Sequence, residues 1–222
     1  MTEFPCTYEE WDLVVGLSAR FVNDYYKRNP VEKDALRTEL LDILHGLRKK
    51  YGDHPAILET IADYTKDESE QIEYYNLACA AAAANSMPTI GIKNYLASSY
   101  TLSGQALAAL NVLRESGGEL ATTDDSTRID WIKAVSQAAN AAENPPELVN
   151  SLRVAIDILD TYNISALDLR LNLAMSLLEN NENLAAIQVL QLCRTDALAA
   201  DSDIRDRWLI LYDDAGSSHH SD

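Results

Sequence analysis

Two stretches of this chain repeat one another: LASSYTLSGQALAALNVL (residues 96–113) and LAMSLLENNENLAAIQVL (residues 173–190). Leu-Ala heads both, and a turn residue follows at Gly104 or Asn181. A small residue, Ala109 or Ala186, comes 12 after the Ala, and Leu113 or Leu190 lies four beyond it. A repeat of this kind, helix–turn–helix, constrains the fold more than any other feature, because one such hairpin cannot bury its apolar face alone and must stack on others.

The rest of the chain carries the same helical period. Thr7 and Glu10 form a capping box for a first helix, in which Trp11, Val14, Val15, Ser18, Phe21, Val22 and Tyr25 recur at three- and four-residue steps. Asn29-Pro30 starts a second helix with Leu36, Leu40, Ile43, Leu44 and Leu47 on its stripe, ended by Arg48, Lys49, Lys50 and Gly52. Pro55 opens a third. The break TKDES leads into a fourth containing the run YYNLACAAAAANSM (residues 74–87), which reads as helix because alanine is the strongest intrinsic helix former. Pairs follow around Ser103-Gly104, around Pro145-Pro146 and around NNEN. Asp125 or Ser126 caps the helix through Trp131, and a final helix, DIRDRWLILY, precedes a polar tail. No alternation of strand and helix appears, so the expected class is all-α, ten helices in five hairpins plus a terminal helix. The expected organisation is an N-terminal hairpin over residues 1–52, acting as a cap or docking element, repeats over 53–212, and a disordered tail over 213–222.

Hydrophobic residues are 47% and charged residues 24%, an ordinary globular balance. The net charge of −17 disfavours nucleic acid and anionic membrane as partners and suits a cationic one. It is unevenly placed: residues 1–52 hold 8 Lys/Arg against 9 Asp/Glu, and residues 53–222 hold 10 against 26. Cys6, Cys79 and Cys193 are three, widely spaced and without a CxxC pair, which suits neither a disulfide framework nor a zinc ribbon. No signal peptide and no membrane span is visible, and the expected compartment is the cytoplasm.

The two aligned stretches resemble the tetratricopeptide repeat (TPR), a helix–turn–helix unit of about 34 residues. The resemblance implies a TPR-like right-handed solenoid of about five antiparallel hairpins plus a C-terminal capping helix. It also implies that the small residues let paired helices approach, with Tyr100 or Leu177 filling the gap. Two less regular units fit around Ala62 with Ala78, and around Ala134 with Ala155. The reference positions 62, 97, 134 and 174 are stretched and irregular in spacing.

Catalytic constellations are not visible. His54, beside Asp53 and Pro55, reads as a turn or cap, and His45 as a boundary residue among leucines. His219-His220 near Asp213, Asp214 and Asp222 is too sparse a pattern for a metal site, and Cys79 reads as a small core residue. No Gly-rich phosphate loop, HExxH or GxSxG occurs. The expectation is a protein without enzymatic activity, metal or cofactor.

The TPR resemblance further implies a concave face lined by the first helix of each hairpin. Its positions here are Glu59, Asp63 and Lys66; Asn94, Ser98, Thr101 and Leu102; Trp131; and Leu171, Met175, Leu178 and Glu179. Alternatively the final helix covers Leu171, Met175 and Leu178. Glu68, Glu70, Glu73, Asp124 and Asp125 form an outer negative surface. The whole resembles small acidic immunity proteins that neutralise bacterial toxins, the preferred expectation, with repeat-type secretion chaperones or adaptors as the alternative. The expected partner is a basic protein, with oligomeric state left open.

Overall fold

The computed structural model describes residues 6–23, 29–142 and 145–217. Tyr25 of the first helical stripe and His219-His220 lie outside the described residues. Among those described there are twelve α-helices and one 3-10 helix. No helix among them is long and apolar enough to cross a membrane. Packing divides the chain into two units, Met1–Ser99 and Tyr100–Asp222.

In the first unit, α1 (Tyr8–Asn23) starts where the sequence places it. The amide of Glu10 donates to Thr7 Oγ1 at 3.3 Å, and the amide of Thr7 donates to Glu10 Oε2 at 3.0 Å. Helix α2 (Pro30–Tyr51) is capped by Asn29, which accepts from the Glu32 amide at 2.9 Å, and ends at Gly52 with φ +79°. Helix α3 (Pro55–Tyr64) has His54 as its cap, Nδ1 accepting from the Ala56 amide at 3.3 Å. Helix α4 (Glu68–Ala84), capped by Asp67, begins earlier than the sequence break suggests and stops before Asn85. Of the run Ala80–Ala84 only Ala82 is buried, so most of the run is exposed helix. The core joins Val14, Leu17, Leu36, Leu40, Leu44, Leu47, Ile57 and Ile61. This one cluster runs across Gly52, and the division by packing falls at Ser99, inside α5 (Ile90–Leu102).

The second unit continues α5 and adds α6 (Ala106–Ser116), a 3-10 turn (Gly117–Ala121), α7 (Asp125–Ala141), α8 (Pro145–Thr161), α9 (Leu167–Glu179), α10 (Asn183–Leu192), α11 (Arg194–Ala199) and α12 (Ser202–Ser217). The cap of α7 is Asp124, which accepts from the Thr127 amide at 3.0 Å, one residue before the expected Asp125 or Ser126. The expected polar tail is partly helix: α12 runs through Asp213 to Ser217, held by Trp208, Leu211 and Ala215 in a core with Leu171, Ala174, Leu190, Cys193 and Ala197.

The repeat extends well beyond the two aligned stretches. Helices α4, α5, α6 and α7 recur as α8, α9, α10 and α12, each starting 77 residues later, as at Ile90 and Leu167. The turn residues recur with positive φ: Ser86 (+54°) with Asn163 (+54°), and Gly104 (+76°) with Asn181 (+61°). Each is followed by an amide that reaches back to close the helix, such as Gln105 to the Tyr100 carbonyl at 2.7 Å and Glu182 to Leu177 at 2.8 Å. Trp131 and Trp208 recur as well: their Nε1 groups donate to the carbonyls of Leu113 (3.1 Å) and Leu190 (2.9 Å). The small residues Ala62, Ala78, Ala97, Ala109, Ala134, Ala155, Ala174 and Ala186 are all buried, as close helix pairing requires.

Candidate functional site

The twelve residues expected on a binding face divide between the units. Glu59, Asp63, Lys66, Asn94 and Ser98 belong to the first, and Thr101, Leu102, Trp131, Leu171, Met175, Leu178 and Glu179 to the second.

Glu59 and Asp63 are one turn apart on α3, a spacing that puts both carboxylates on one side of the helix. Glu59 is half-buried, and among the described residues no cation pairs with it or with Asp63. Burial, and then the like charge of Asp63, push the Glu59 carboxyl up to about 7. Asp63 keeps exposed surface, but its carboxylate is crowded by protein, which also raises it above the usual carboxylate range. The Tyr75 hydroxyl, donating to Asp63 Oδ1 at 2.6 Å, works against that rise. Because Glu59 is the less exposed of the two and has no such donor, it carries the larger shift. Tyr75 is buried and stacks against Tyr95 at 6.2 Å with rings 12° apart. Burial, and then the adjoining Asp63, hold its phenol protonated far above the ordinary range. Gln71 bridges the same helices, donating to the Ala62 carbonyl at 3.1 Å and accepting from Ser99 Oγ at 2.8 Å.

Lys66 does not join this pair. Helix α3 ends at Tyr64, so the helical register no longer holds at residue 66, and Lys66 Nζ instead meets Asp34 Oδ1 of α2 at 2.6 Å. It lines a polar cleft of about 450 Å³ with Arg37, Thr38, His45, Asp67 and Glu70. Asn94 is buried, contrary to its expected place on an open face, because α5 buries residues around most of its circumference. Ser98 is half-buried and donates to the Asn94 carbonyl at 3.1 Å.

In the second unit Thr101 is half-buried and Leu102 is exposed. Trp131 is fully buried, its Nε1 also donating to Ser116 Oγ at 3.1 Å, so it is a core anchor and not an open contact. Leu171 is fully buried in the cluster that holds Trp208 and Leu211 of α12, and Met175 and Leu178 pack against it. The expected apolar lining there is thus covered by the last helix, the alternative that its sequence allowed. Glu179 is exposed at the end of α9. Sequence reasoning missed a different apolar cleft of about 390 Å³ along α8, α9 and α10. It is lined by Ile156, Leu173, Val189 and Leu192 and edged by Arg153 and the Arg170–Asp160 ion pair at 2.6 Å.

The offset of 77 residues supplies an internal comparison for the first-unit polar cluster. Gln71, Tyr75 and Asn94 stand where the second copy has Leu148, Leu152 and Leu171, all buried. The corresponding positions carry buried leucine in one copy and polar groups in the other. No signal in a single helix period could show this; the offset itself could have.

No protein-family model matches the sequence, and no curated protein is significantly similar to it. Among solved structures, a set of kinesin-light-chain-type "nearly identical TPR-like repeats" from Podosopora anserina matches at TM-score 0.55 and 18% identity. It covers 90% of this chain and 100% of that one. A single-substitution form of the same repeats matches at TM-score 0.51 and 18% identity, covering 82% and 94%. The TPR2AB domain of yeast Sti1, solved with pHSP90, covers 93% of this chain and 88% of its own at TM-score 0.40 and 18% identity. With its all-helical hairpins, buried small residues and recurring turns, the chain has a TPR-like repeat fold.

Proposed function

We propose that this chain is a protein-binding scaffold that sequesters a cationic partner protein, with Glu59 and Asp63 of α3 as contact carboxylates. The observation that carries the reading is the contrast between the two copies. Leucines suffice at three positions of the second copy, so packing alone does not call for Gln71, Tyr75 and Asn94 in the first. Beside them sits a half-buried glutamate without a cation among the described residues. A lysine or arginine from a partner would supply that cation and restore the ionised state of Glu59. Ser98, Thr101 and Glu179, with open or half-open surface, are proposed as further contacts. The fold of the matched structures is one of stacked helical hairpins, which offers extended surfaces for proteins.

The finer reading is that of a cytoplasmic, non-enzymatic immunity protein covering a basic active site of a bacterial toxin. It is supported by the charge of −17, concentrated after residue 52. Affinity purification followed by mass spectrometry tests it, using wild type beside a Glu59→Lys/Asp63→Lys variant. A basic protein should be enriched by wild type and lost with the variant. Its association rate should fall steeply as salt rises, and a flat salt response rules the reading out.

A second reading, a secretion-type chaperone or an adaptor within an assembly, is favoured by the apolar cleft along α8–α10. Such a partner would be held through Leu173, Val189 and Leu192, and Val189→Asp would release it where the α3 variant does not.

A further inference from the structure

By the 77-residue offset α12 is the counterpart of α7, and one face of the two helices differs. In α7 the residues Ile132, Val135, Ser136 and Ala139 fall at helical steps along one stripe. Val135 and Ala139 are each 1% exposed, and Ile132 and Ser136 are half-buried. Helix α8 packs here, since Val135 lines a small cavity with Ser151 and Ala155 of α8. In α12 the same stripe is Leu209, Tyr212, Asp213 and Gly216, and all four are exposed, Leu209 at 48% and Tyr212 at 38%. Tyr212 keeps that exposure although its ring stacks on Trp208 at 5.0 Å. The other side of α12, through Trp208, Leu211 and Ala215, is buried as Trp131, Ala134 and Ala138 are in α7. Stacked hairpins bury such stripes on their neighbours, and among the described residues no helix covers this one.

We infer that this face of α12 docks a helix of a partner protein, in the place that α8 takes on α7. The docked helix carries two small residues one turn apart and an acid one turn further on. The small residues correspond to Ser151 and Ala155, and they make room for Tyr212, which is larger than Val135. The acid follows from a second difference between the copies. Ile158, one turn beyond Ala155, packs so closely on Gly117 that a Cβ there would lie 2.7 Å from Ile158 Cδ1. The counterpart of Gly117 is Arg194, exposed and with no acid paired to it among the described residues. An isoleucine has no room beside it, whereas a glutamate in that place meets a guanidinium. The same residue selects against a second copy as the occupant. This chain's two helices of the type, α4 and α8, have Ala81 and Ile158 at that position, and each is already packed, on α3 and on α7. Every residue of the docking face lies in the second unit, so the inference does not rest on the carboxylates proposed on α3.

The probe is a synthetic peptide with the sequence of α8 (Pro145–Thr161) carrying Ile158→Glu. Titrated into the full, isotope-labelled chain, it should shift the amide signals of Leu209, Tyr212 and Gly216. It should bind at least about 10-fold more tightly than the unsubstituted α8 peptide. Arg194→Glu in the chain should weaken it about 5-fold or more, and a peptide carrying Ile158→Lys should recover binding to that variant. Gly216→Gln should weaken it at least about 10-fold by filling the interface. Helical circular dichroism should be unchanged in that variant, because no atom of the chain lies within 4 Å of a Cβ at Gly216. No shifts at about 1 mM peptide overturn the inference, as do shifts centred on Val135 and not on Tyr212. So does binding that Arg194→Glu and Gly216→Gln both leave unchanged. Self-association of the chain that Gly216→Gln abolishes would put a second copy on this face and overturns it as well.

Discussion

Tyr75 of α4 donates its hydroxyl to Asp63 Oδ1 of α3 at 2.6 Å, and one repeat later, at Leu152, the same position has no hydroxyl at all. The bond holds one carboxylate in place beside a second, Glu59, that has no donor of its own among the described residues. Two acids a turn apart, one satisfied and one not, form a site where protons and cations compete.

Stability should record that competition. Glu59 has its carboxyl raised to about 7 in the folded chain against 4.5 when free. A group raised in the folded state contributes stability that is complete below its unfolded value and is lost as pH rises through its folded one. Between pH 4.5 and 7, wild type should therefore lose on the order of 1–3 kcal/mol relative to Glu59→Gln. Urea unfolding of both proteins across that range checks it, and parallel pH profiles would remove Glu59 as the strained group.

Exchanging the first copy's polar groups for the second copy's leucines separates folding from binding. Gln71→Leu should leave stability within about 1 kcal/mol of wild type, since it removes a half-buried amide together with its modest bonds. Tyr75→Leu should likewise fold, but it frees Asp63 from its donor and should weaken partner capture in the same pull-down that tests Glu59. Loss of folding in Gln71→Leu would show instead that the polar bridge to Ser99 is structural.

Much of this was legible from spacing. The capping box at Thr7–Glu10, the caps at Asn29 and His54, and the ends at Gly52 and Gly104 depend on neighbours within five residues, and each is found where the sequence places it. The site was legible only in part. Glu59 and Asp63 follow from a helix register, but the partner of Asp63 lies twelve residues on, across a helix pair. Trp131 was misplaced because helix periodicity tells which residues share a face and not which face another helix covers. Lys66 was misplaced because a register was carried past the end of its helix. Asp213 to Ser217 were read as tail from their polarity, although Ala215 alone buries that turn.

The two core tryptophans should differ in a predictable order. Trp131→Phe removes a bond to the Leu113 carbonyl, but Ser116 Oγ still donates there at 2.8 Å. Trp208→Phe leaves the Leu190 carbonyl, among the described residues, with the side-chain thiol of Cys193 at 3.6 Å, a weak donor. The second substitution should cost about 1 kcal/mol more than the first, within the range for leaving a buried carbonyl poorly satisfied. Denaturant midpoints at equal m-values give the comparison. Equal losses would mean that the serine hydroxyl adds nothing, and neither substitution should alter partner affinity in protein that remains folded.

The first helix is fastened at its start by a different pair of bonds, and acid should release it. Glu10 accepts from Lys50 Nζ at 2.7 Å and from the Tyr51 hydroxyl at 2.5 Å, so a carboxylate on α1 is tied to the last turn of α2. The bonds from Lys50, then Tyr51 and the Thr7 amide, hold the Glu10 carboxyl down to about 2. A carboxyl lowered in the folded state contributes stability above its unfolded value of 4.5 that is lost as pH falls through its folded one. The window is thus pH 4.5 to 2, below and opposite in sign to that of Glu59. Amide exchange within α1 should quicken across that range while exchange in the core of α2 around Leu40 and Leu44 holds. Glu10→Gln should show the faster α1 exchange already at neutral pH. Uniform acid loosening of both helices would instead place the release in the shared core and not at the Glu10 fastening.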